Sequence, residues 1–122
     1  MAILLLSTDL MFGSRVSGAA ARIGLALQTF ATPDSLLERL ELSKPKGDDA
    51  GGLVVLDLTM RHFDPKAWVP RFRQAANPPK AIVAYGPHVQ DAILAAAAGA
   101  GCDQVYTRGQ FNARMDEILA GS

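Results

Sequence analysis

The sequence has very little cysteine and no long apolar run. Cys102 is the only cysteine among 122 residues, so an internal disulfide is excluded, and no Cys/His cluster has the close spacing of a structural zinc site. The apolar run Met1–Leu6 is short and has no basic flank, which excludes a signal peptide and a membrane span. We therefore expect a cytoplasmic protein with no membrane partner.

An excess of charge of either sign is also missing. Twelve Lys and Arg residues balance twelve Asp and Glu residues, so the formal net charge is zero. Binding to nucleic acid requires an extended basic surface, and this balance argues against nucleic acid as a partner. Hydrophobic residues make up 49% of the chain, enough for one apolar core at this length, and we expect residues 1–122 to form a single domain.

Short apolar runs alternate along the chain with segments of helical periodicity. The predicted strands are Ala2–Leu6, Leu25–Phe30, Leu53–Asp57, Lys80–Tyr85 and Gln104–Tyr106. The predicted helices are Leu10–Ile23, one starting at Thr32-Pro33-Asp34, one starting at Asp64-Pro65, His88–Ala98 and Gln110–Leu119. This alternation predicts an α/β fold, a flavodoxin-like (βα)5 doubly wound parallel sheet with strand order 2-1-3-4-5.

Two of the predicted helices contain residues that weaken helices. Pro70 stands where a helix interior is expected, and we predict that it breaks or kinks the third helix. Gly13 to Gly18, GSRVSG, is superficially similar to a phosphate loop but lacks the lysine and hydroxyl pair that follows one. We interpret this run as the weak start of the first helix.

Two stretches resemble bacterial response-regulator receiver domains. LVVLDLTMRHFD, Leu53 to Asp64, resembles the family's phosphoacceptor strand and places Asp57 at the phosphoacceptor position. AGCDQVYTRG, Ala100 to Gly109, resembles the family's last turn and strand and places Arg108 at the position of its lysine. The resemblance implies a flavodoxin-like domain of a two-component system or phosphorelay, not an enzyme, whose partner is a histidine kinase or an output protein.

Other positions depart from the family's pattern. Ser7 and Thr8 stand where the family has two acids that hold a magnesium ion together with the phosphoacceptor, and Asp9 falls one place later. Gly86 stands where the family has the hydroxyl residue that contacts the phosphoryl group. These departures favour a pseudo-receiver that needs no cofactor and acts through protein–protein contact.

The remaining charged groups allow two states of Asp57. We expect the forked guanidinium of Arg108 to form an ion pair with an unphosphorylated Asp57. In the alternative, the first loop is shifted by one residue, Asp9 reaches Asp57, and the two carboxylates bind Mg²⁺ for phosphorylation of Asp57. The sequence leaves both states open.

Several other residues have weaker functional interpretations. His62 and His88 lie at the same sheet edge and, with Asp9, form a candidate metal or general-base site, although loop histidines are usually exposed. Tyr85 and Tyr106 are interpreted as packing residues. Val105, one place before Tyr106, stands at the position of the family's switch aromatic. Because neighbouring strand residues face opposite ways, we do not expect Tyr106 to act as that switch. Cys102 is interpreted as an inert small residue.

These patterns lead to three hypotheses for the function of the chain. The favoured one is a single-domain regulator that presents its last strand and last two helices to a protein partner, and the resemblance also implies a homodimer through that face. The second is an active receiver that uses Asp57, Asp9 and Arg108. The third is a domain that binds a nucleotide or a flavin in the crevice at the carboxyl ends of the strands, without a phosphate loop.

Overall fold

Strands and helices alternate through residues 2–42, 52–87 and 91–121, which the computed structural model describes. The strands are β1 (Ala2–Leu6), β2 (Ala26–Phe30), β3 (Leu53–Asp57), β4 (Ala81–Gly86) and β5 (Gln104–Thr107). The helices are α1 (Leu10–Arg22), α2 (Pro33–Glu41), α3 (Pro65–Arg73), α4 (Asp91–Ala100), α5 (Arg108–Ala113) and α6 (Met115–Leu119). All strand pairs are parallel, and the sheet order β2-β1-β3-β4-β5 confirms the predicted flavodoxin-like fold.

The apolar core consists of two clusters, one on each face of the sheet. Alternate residues of the central strands β1, β3 and β4 contribute to opposite clusters because successive side chains of a strand point to opposite faces. One cluster is completed by residues of α2, α3 and α4, and the other by residues of α1, α5 and α6. This arrangement explains why the three central strands are apolar almost throughout, whereas the edge strands β2 and β5 are partly exposed.

Side-chain caps determine where most of the helices begin. Thr32 and Asp64 accept hydrogen bonds from the first turns of α2 and α3, which confirms both predicted helix starts. Thr107 and Gln110 form a reciprocal capping box, so α5 begins earlier than the predicted Gln110. The predicted start of the fourth helix at His88 lies outside the described residues.

Two helix predictions need correction. Helix α3 continues through Pro70, so the predicted break is wrong, while the kink stays a prediction; one missing N–H removes a single helical bond, and Val69 and Phe72 remain buried in the core. The last helix is divided at Arg114, whose backbone angles (φ −117°, ψ 22°) leave the helical region. This bend lets Phe111 and Ile118 reach the same core cluster.

A partly exposed hydrogen-bond network joins the far edge of the sheet. The carboxylate of Asp103 accepts hydrogen bonds from the Ile82 N–H at 2.7 Å and from the Arg73 guanidinium at 2.6 Å. Arg73 also donates to the Gly101 carbonyl at 2.8 Å. The turn before β5 is therefore tied to both α3 and β4.

None of the helices that the structure describes has the length and apolar character needed to span a lipid bilayer.

Candidate functional site

The carboxyl ends of the parallel strands bring the predicted site residues to one edge of the sheet. Asp57 is the last residue of β3 and is aligned with Tyr85 of β4. Gly86 ends β4 and is aligned with Thr107, directly before Arg108. Ser7, Thr8 and Asp9 follow β1. Loops at this edge of a doubly wound sheet form its usual ligand crevice.

Both carboxylate oxygens of Asp57 accept hydrogen bonds from neighbouring loops. The Ser7 hydroxyl donates to Oδ2 at 2.6 Å. The backbone N–H and the hydroxyl of Thr59 donate to Oδ1 at 2.8 and 2.5 Å. Asp57 is only 1% exposed and Ser7 only 4%, so these donors replace the water that a carboxylate would otherwise bind. Asp57 is therefore a buried acid that is stabilised by hydroxyl and amide donors.

Thr59 is a site residue that the sequence analysis missed. It stands two places after Asp57, and its N–H closes the short loop that an aspartate side chain commonly forms with the backbone two residues on. The spacing Asp-x-Thr at the end of a predicted strand could have indicated this contact. The Thr59 hydroxyl donates to the same carboxylate oxygen, Oδ1, and stabilises this loop further.

The expected ion pair between Arg108 and Asp57 is not formed among the described residues. Arg108 instead donates to Asp9 Oδ2 at 2.7 Å, and its guanidinium lies 4.6 Å from the centre of the Phe12 ring. Asp9 is the N-cap of α1, which places its carboxylate at the partly exposed rim, whereas Asp57 lies in the interior. The hydrogen bond from the Phe12 N–H, together with the charge of Arg108, holds the pKa of Asp9 below its usual value.

The side chains at this edge do not fit a magnesium ion. Magnesium requires nearly octahedral oxygen ligands, with protein carboxylates supplying the charge. Asp9 uses one oxygen to cap α1 and the other to bind Arg108, so it does not supply a second carboxylate beside Asp57, whose oxygens accept hydrogen bonds from Ser7 and Thr59. Ser7 lies between the two acids, since its hydroxyl donates to Asp57 and accepts from the Asp9 N–H at 3.1 Å. Over the described ranges, no three His, Cys, Asp or Glu side chains cluster to hold a metal.

Gly86 is closely packed by two leucines. A Cβ at this position would lie 3.1 Å from Leu58 Cβ and 3.1 Å from Leu94 Cδ2. Both distances are shorter than an ordinary van der Waals contact. A hydroxyl side chain at this position therefore requires its neighbours to move.

The Tyr85 ring packs in an aromatic cluster beneath the site. Its ring centre lies 4.8 Å from that of Phe12 and 4.8 Å from that of Phe111. Its hydroxyl is buried and has no hydrogen-bond partner among the described residues. Burial and the nearby Asp57 carboxylate raise the pKa of Tyr85. The ring contacts with Phe12 and Phe111 thus support the interpretation of Tyr85 as a packing residue.

The other residues singled out in the sequence occupy separate places. Val105 and Tyr106 pack against opposite core clusters, which confirms that they face opposite ways. Burial raises the pKa of the Cys102 thiol to about 11, so the reactive thiolate is scarce at neutral pH. His62 lines a cavity between loops at the same sheet edge. His88 lies outside the described residues, so the candidate site with both histidines remains untested.

The chain is similar in structure to solved receiver domains. One is the receiver domain of the sensor histidine kinase PA1611 from Pseudomonas aeruginosa PAO1, crystallised with magnesium coordinated in its active-site cleft. Its identity to this chain is 17%, the match covers 99% of this chain and 98% of that chain, and the TM-score is 0.77. Another is a response-regulator receiver domain from Bermanella marisrubri, with 19% identity, coverage of 98% and 95%, and a TM-score of 0.79.

A response regulator from Hahella chejuensis gives a similar match, with 18% identity, coverage of 98% and 92%, and a TM-score of 0.78. No protein-family model matches the chain, and no curated protein matches it in sequence. Identities this low establish a common architecture. This chain therefore has the fold of response-regulator receiver domains.

Proposed function

We propose that this chain is a receiver-like signal-transduction domain that acts through contact with another protein, without conventional phosphorylation of Asp57. The observation that carries the proposal is the bonding of Asp57. Both of its oxygens accept hydrogen bonds in the interior, from Ser7 and Thr59. Enzymatic activity is not part of this proposal.

Aspartyl phosphorylation requires a carboxylate oxygen to attack phosphorus while cations neutralise the charge of the transferred group. Asp57 is only 1% exposed, its Oδ1 accepts two hydrogen bonds from Thr59 and its Oδ2 accepts one from Ser7, so attack on a phosphodonor requires these loops to move. Arg108, at the position of the family's lysine, is bound to Asp9. Leu58 and Leu94 pack closely around Gly86, which stands at the position of the family's hydroxyl residue. These three features support the inactive pseudo-receiver over a working phosphosite.

The alternative is a receiver that is phosphorylated on Asp57 after its loops rearrange. The Ser7 hydroxyl would have to turn away from Asp57, and Asp9 would have to release Arg108. Asp9 would also have to give up the cap of α1, which costs about 1 kcal/mol. These combined changes make the alternative the less favoured one.

An exposed apolar pair supports a role in protein contact. Leu10 and Met11, at the start of α1, are 88% and 83% exposed. Large apolar side chains that are grouped on a surface commonly mark an interaction site. In this proposal the partner is a histidine kinase or an output protein. The last strand with the last two helices, and a homodimer through that face, remain alternatives for the contact surface.

Incubation with acetyl phosphate and magnesium, followed by measurement of the intact mass, tests the proposal. We expect no gain of a phosphoryl group on the wild-type chain, because Asp57 is buried, its oxygens are held by Ser7 and Thr59, and it forms no ion pair with a described Lys, Arg or His. A receiver domain known to accept phosphate from this donor serves as the positive control. Mass gain of one phosphoryl group that disappears in Asp57→Asn would establish the phosphoacceptor alternative instead.

A further inference from the structure

A cavity of about 640 Å³ opens at the sheet edge between the ends of β1, β2 and β3. The sheet order places β1 between β2 and β3. The connection after β1 runs to β2 on one side, whereas the connection after β3 runs to β4 on the other side. In doubly wound sheets of this order, that reversal between β1 and β3 creates a crevice in which ligands bind. The cavity volume lies within the range of small-molecule sites.

An arginine and a histidine line this cavity. Arg61 and His62 are both exposed, and neither forms an ion pair with any acid among the residues that the structure describes. A guanidinium matches the oxygens of a phosphate group with two parallel hydrogen bonds. One acid, Asp34, also lines the cavity and provides an acceptor for hydroxyl groups. The lining therefore suits a ligand with both an anionic group and hydroxyl groups.

The backbone at His62 adopts an unusual conformation. Its φ is +60°, in the left-handed region, and His62 is the only non-glycine residue with positive φ in the described ranges. This turn allows the consecutive residues Arg61 and His62 to line the same cavity. Left-handed residues other than glycine are uncommon and concentrate at functional sites.

Apolar and hydroxyl groups complete the wall. Trp68, Met60 and Pro33 contribute apolar surface, and Thr8 contributes a hydroxyl group. The Thr59 hydroxyl also lies at the wall but is donated to Asp57. The Thr32 hydroxyl is bound to Ser35 within the cap of α2, so it is not available to a ligand. Arg71 lies 4.4 Å over the Trp68 ring and Phe72 stacks on it at 5.9 Å, so a planar ligand ring would pack against the part of Trp68 that these two neighbours leave open to the cavity.

We propose that this cavity binds a nucleoside monophosphate, with the phosphate at Arg61 and His62, ribose hydroxyls near Asp34 and Thr8, and the base against Trp68. The cavity adjoins Asp57 through Thr59, but binding there needs no phosphorylation of the chain. The proposal is therefore independent of the proposed signalling function.

The cavity contains its own spectroscopic reporter, because Trp68 is the only tryptophan in the chain. Titration of the full chain with adenosine monophosphate should give a saturable change in tryptophan fluorescence. Arg61→Gln should weaken this binding by about tenfold, since it removes a charged hydrogen bond to the phosphate. Arg22→Gln is the matched control. It removes an arginine from an exposed ion pair with Asp116 on α1 and should leave the affinity unchanged.

Inorganic phosphate and adenosine separate the two parts of the ligand. Each should bind more weakly than adenosine monophosphate, and Arg61→Gln should affect phosphate but not adenosine. Absence of a saturable change with adenosine monophosphate at millimolar concentration would overturn the proposal. So would equal weakening by Arg61→Gln and Arg22→Gln, or inorganic phosphate binding as tightly as the nucleotide.

Discussion

Ser7→Asp is expected to lower the free energy of unfolding by about 3 kcal/mol at neutral pH without divalent cations, because it removes a hydrogen-bond donor to Asp57 and buries a second negative charge beside it. The Ser7 hydroxyl lies 2.6 Å from Asp57 Oδ2, and both side chains are buried. A carboxylate at position 7 would replace a hydrogen-bond donor by a like charge at the same place. Urea unfolding of both proteins measures the difference.

The control for this prediction is Ser7→Asn, because asparagine has nearly the same size as aspartate but carries no charge. Its loss should be clearly smaller than that of Ser7→Asp. The difference between the two variants should shrink at acidic pH, where one carboxyl group of the pair becomes protonated. Magnesium should restore part of the stability of Ser7→Asp alone, because only this variant presents two adjacent carboxylates. Equal losses in both variants at neutral pH would show that Asp57 does not repel a charge at position 7.

Phe111→Ala is expected to lower the free energy of unfolding by about 3 to 5 kcal/mol, the usual cost of removing a buried phenylalanine ring. Phe111 is fully buried, stacks on Tyr85 at 4.8 Å, and lies 5.9 Å from Phe12. Its loss leaves a cavity beneath the sheet edge that carries Asp57. Chemical denaturation with the linear extrapolation gives the value directly.

Tyr85→Phe is the matched variant within the same aromatic cluster. It removes only a hydroxyl that has no hydrogen-bond partner among the described residues. The expected change is within about 1 kcal/mol, because deleting an unpartnered polar group removes a desolvation cost and keeps the ring packing. A loss as large as that of Phe111→Ala would mean that the Tyr85 hydroxyl makes a bond essential to the fold.

Most of the fold could be predicted from the sequence because its signals are local. Apolar runs marked the central strands, and the pairs Thr32-Pro33 and Asp64-Pro65 marked two helix starts. The division of the last helix at Arg114 could not be predicted in this way. The whole segment has a helical apolar pattern, and the bend depends on how Phe111 and Ile118 meet the core.

The candidate site could be predicted only in part. The strand ends placed Asp57, Gly86 and Arg108 at the same edge, as expected. The partner of Arg108 depended on whether Asp9 caps α1 at the rim or turns inward, which sequence spacing does not determine. The close packing at Gly86 comes from Leu58 and Leu94, which are distant from each other in the chain.

Binding of beryllofluoride, a phosphoryl mimic, tests most directly whether Asp57 is closed to phosphoryl chemistry. The probe would be added with magnesium to the full chain, and amide resonances would be followed by two-dimensional nuclear magnetic resonance. Our account predicts no saturable shift at Ser7, Asp57 or Thr59, because Asp57 keeps its hydrogen bonds from Ser7 and Thr59. Saturable shifts at these residues that vanish in Asp57→Asn would contradict it.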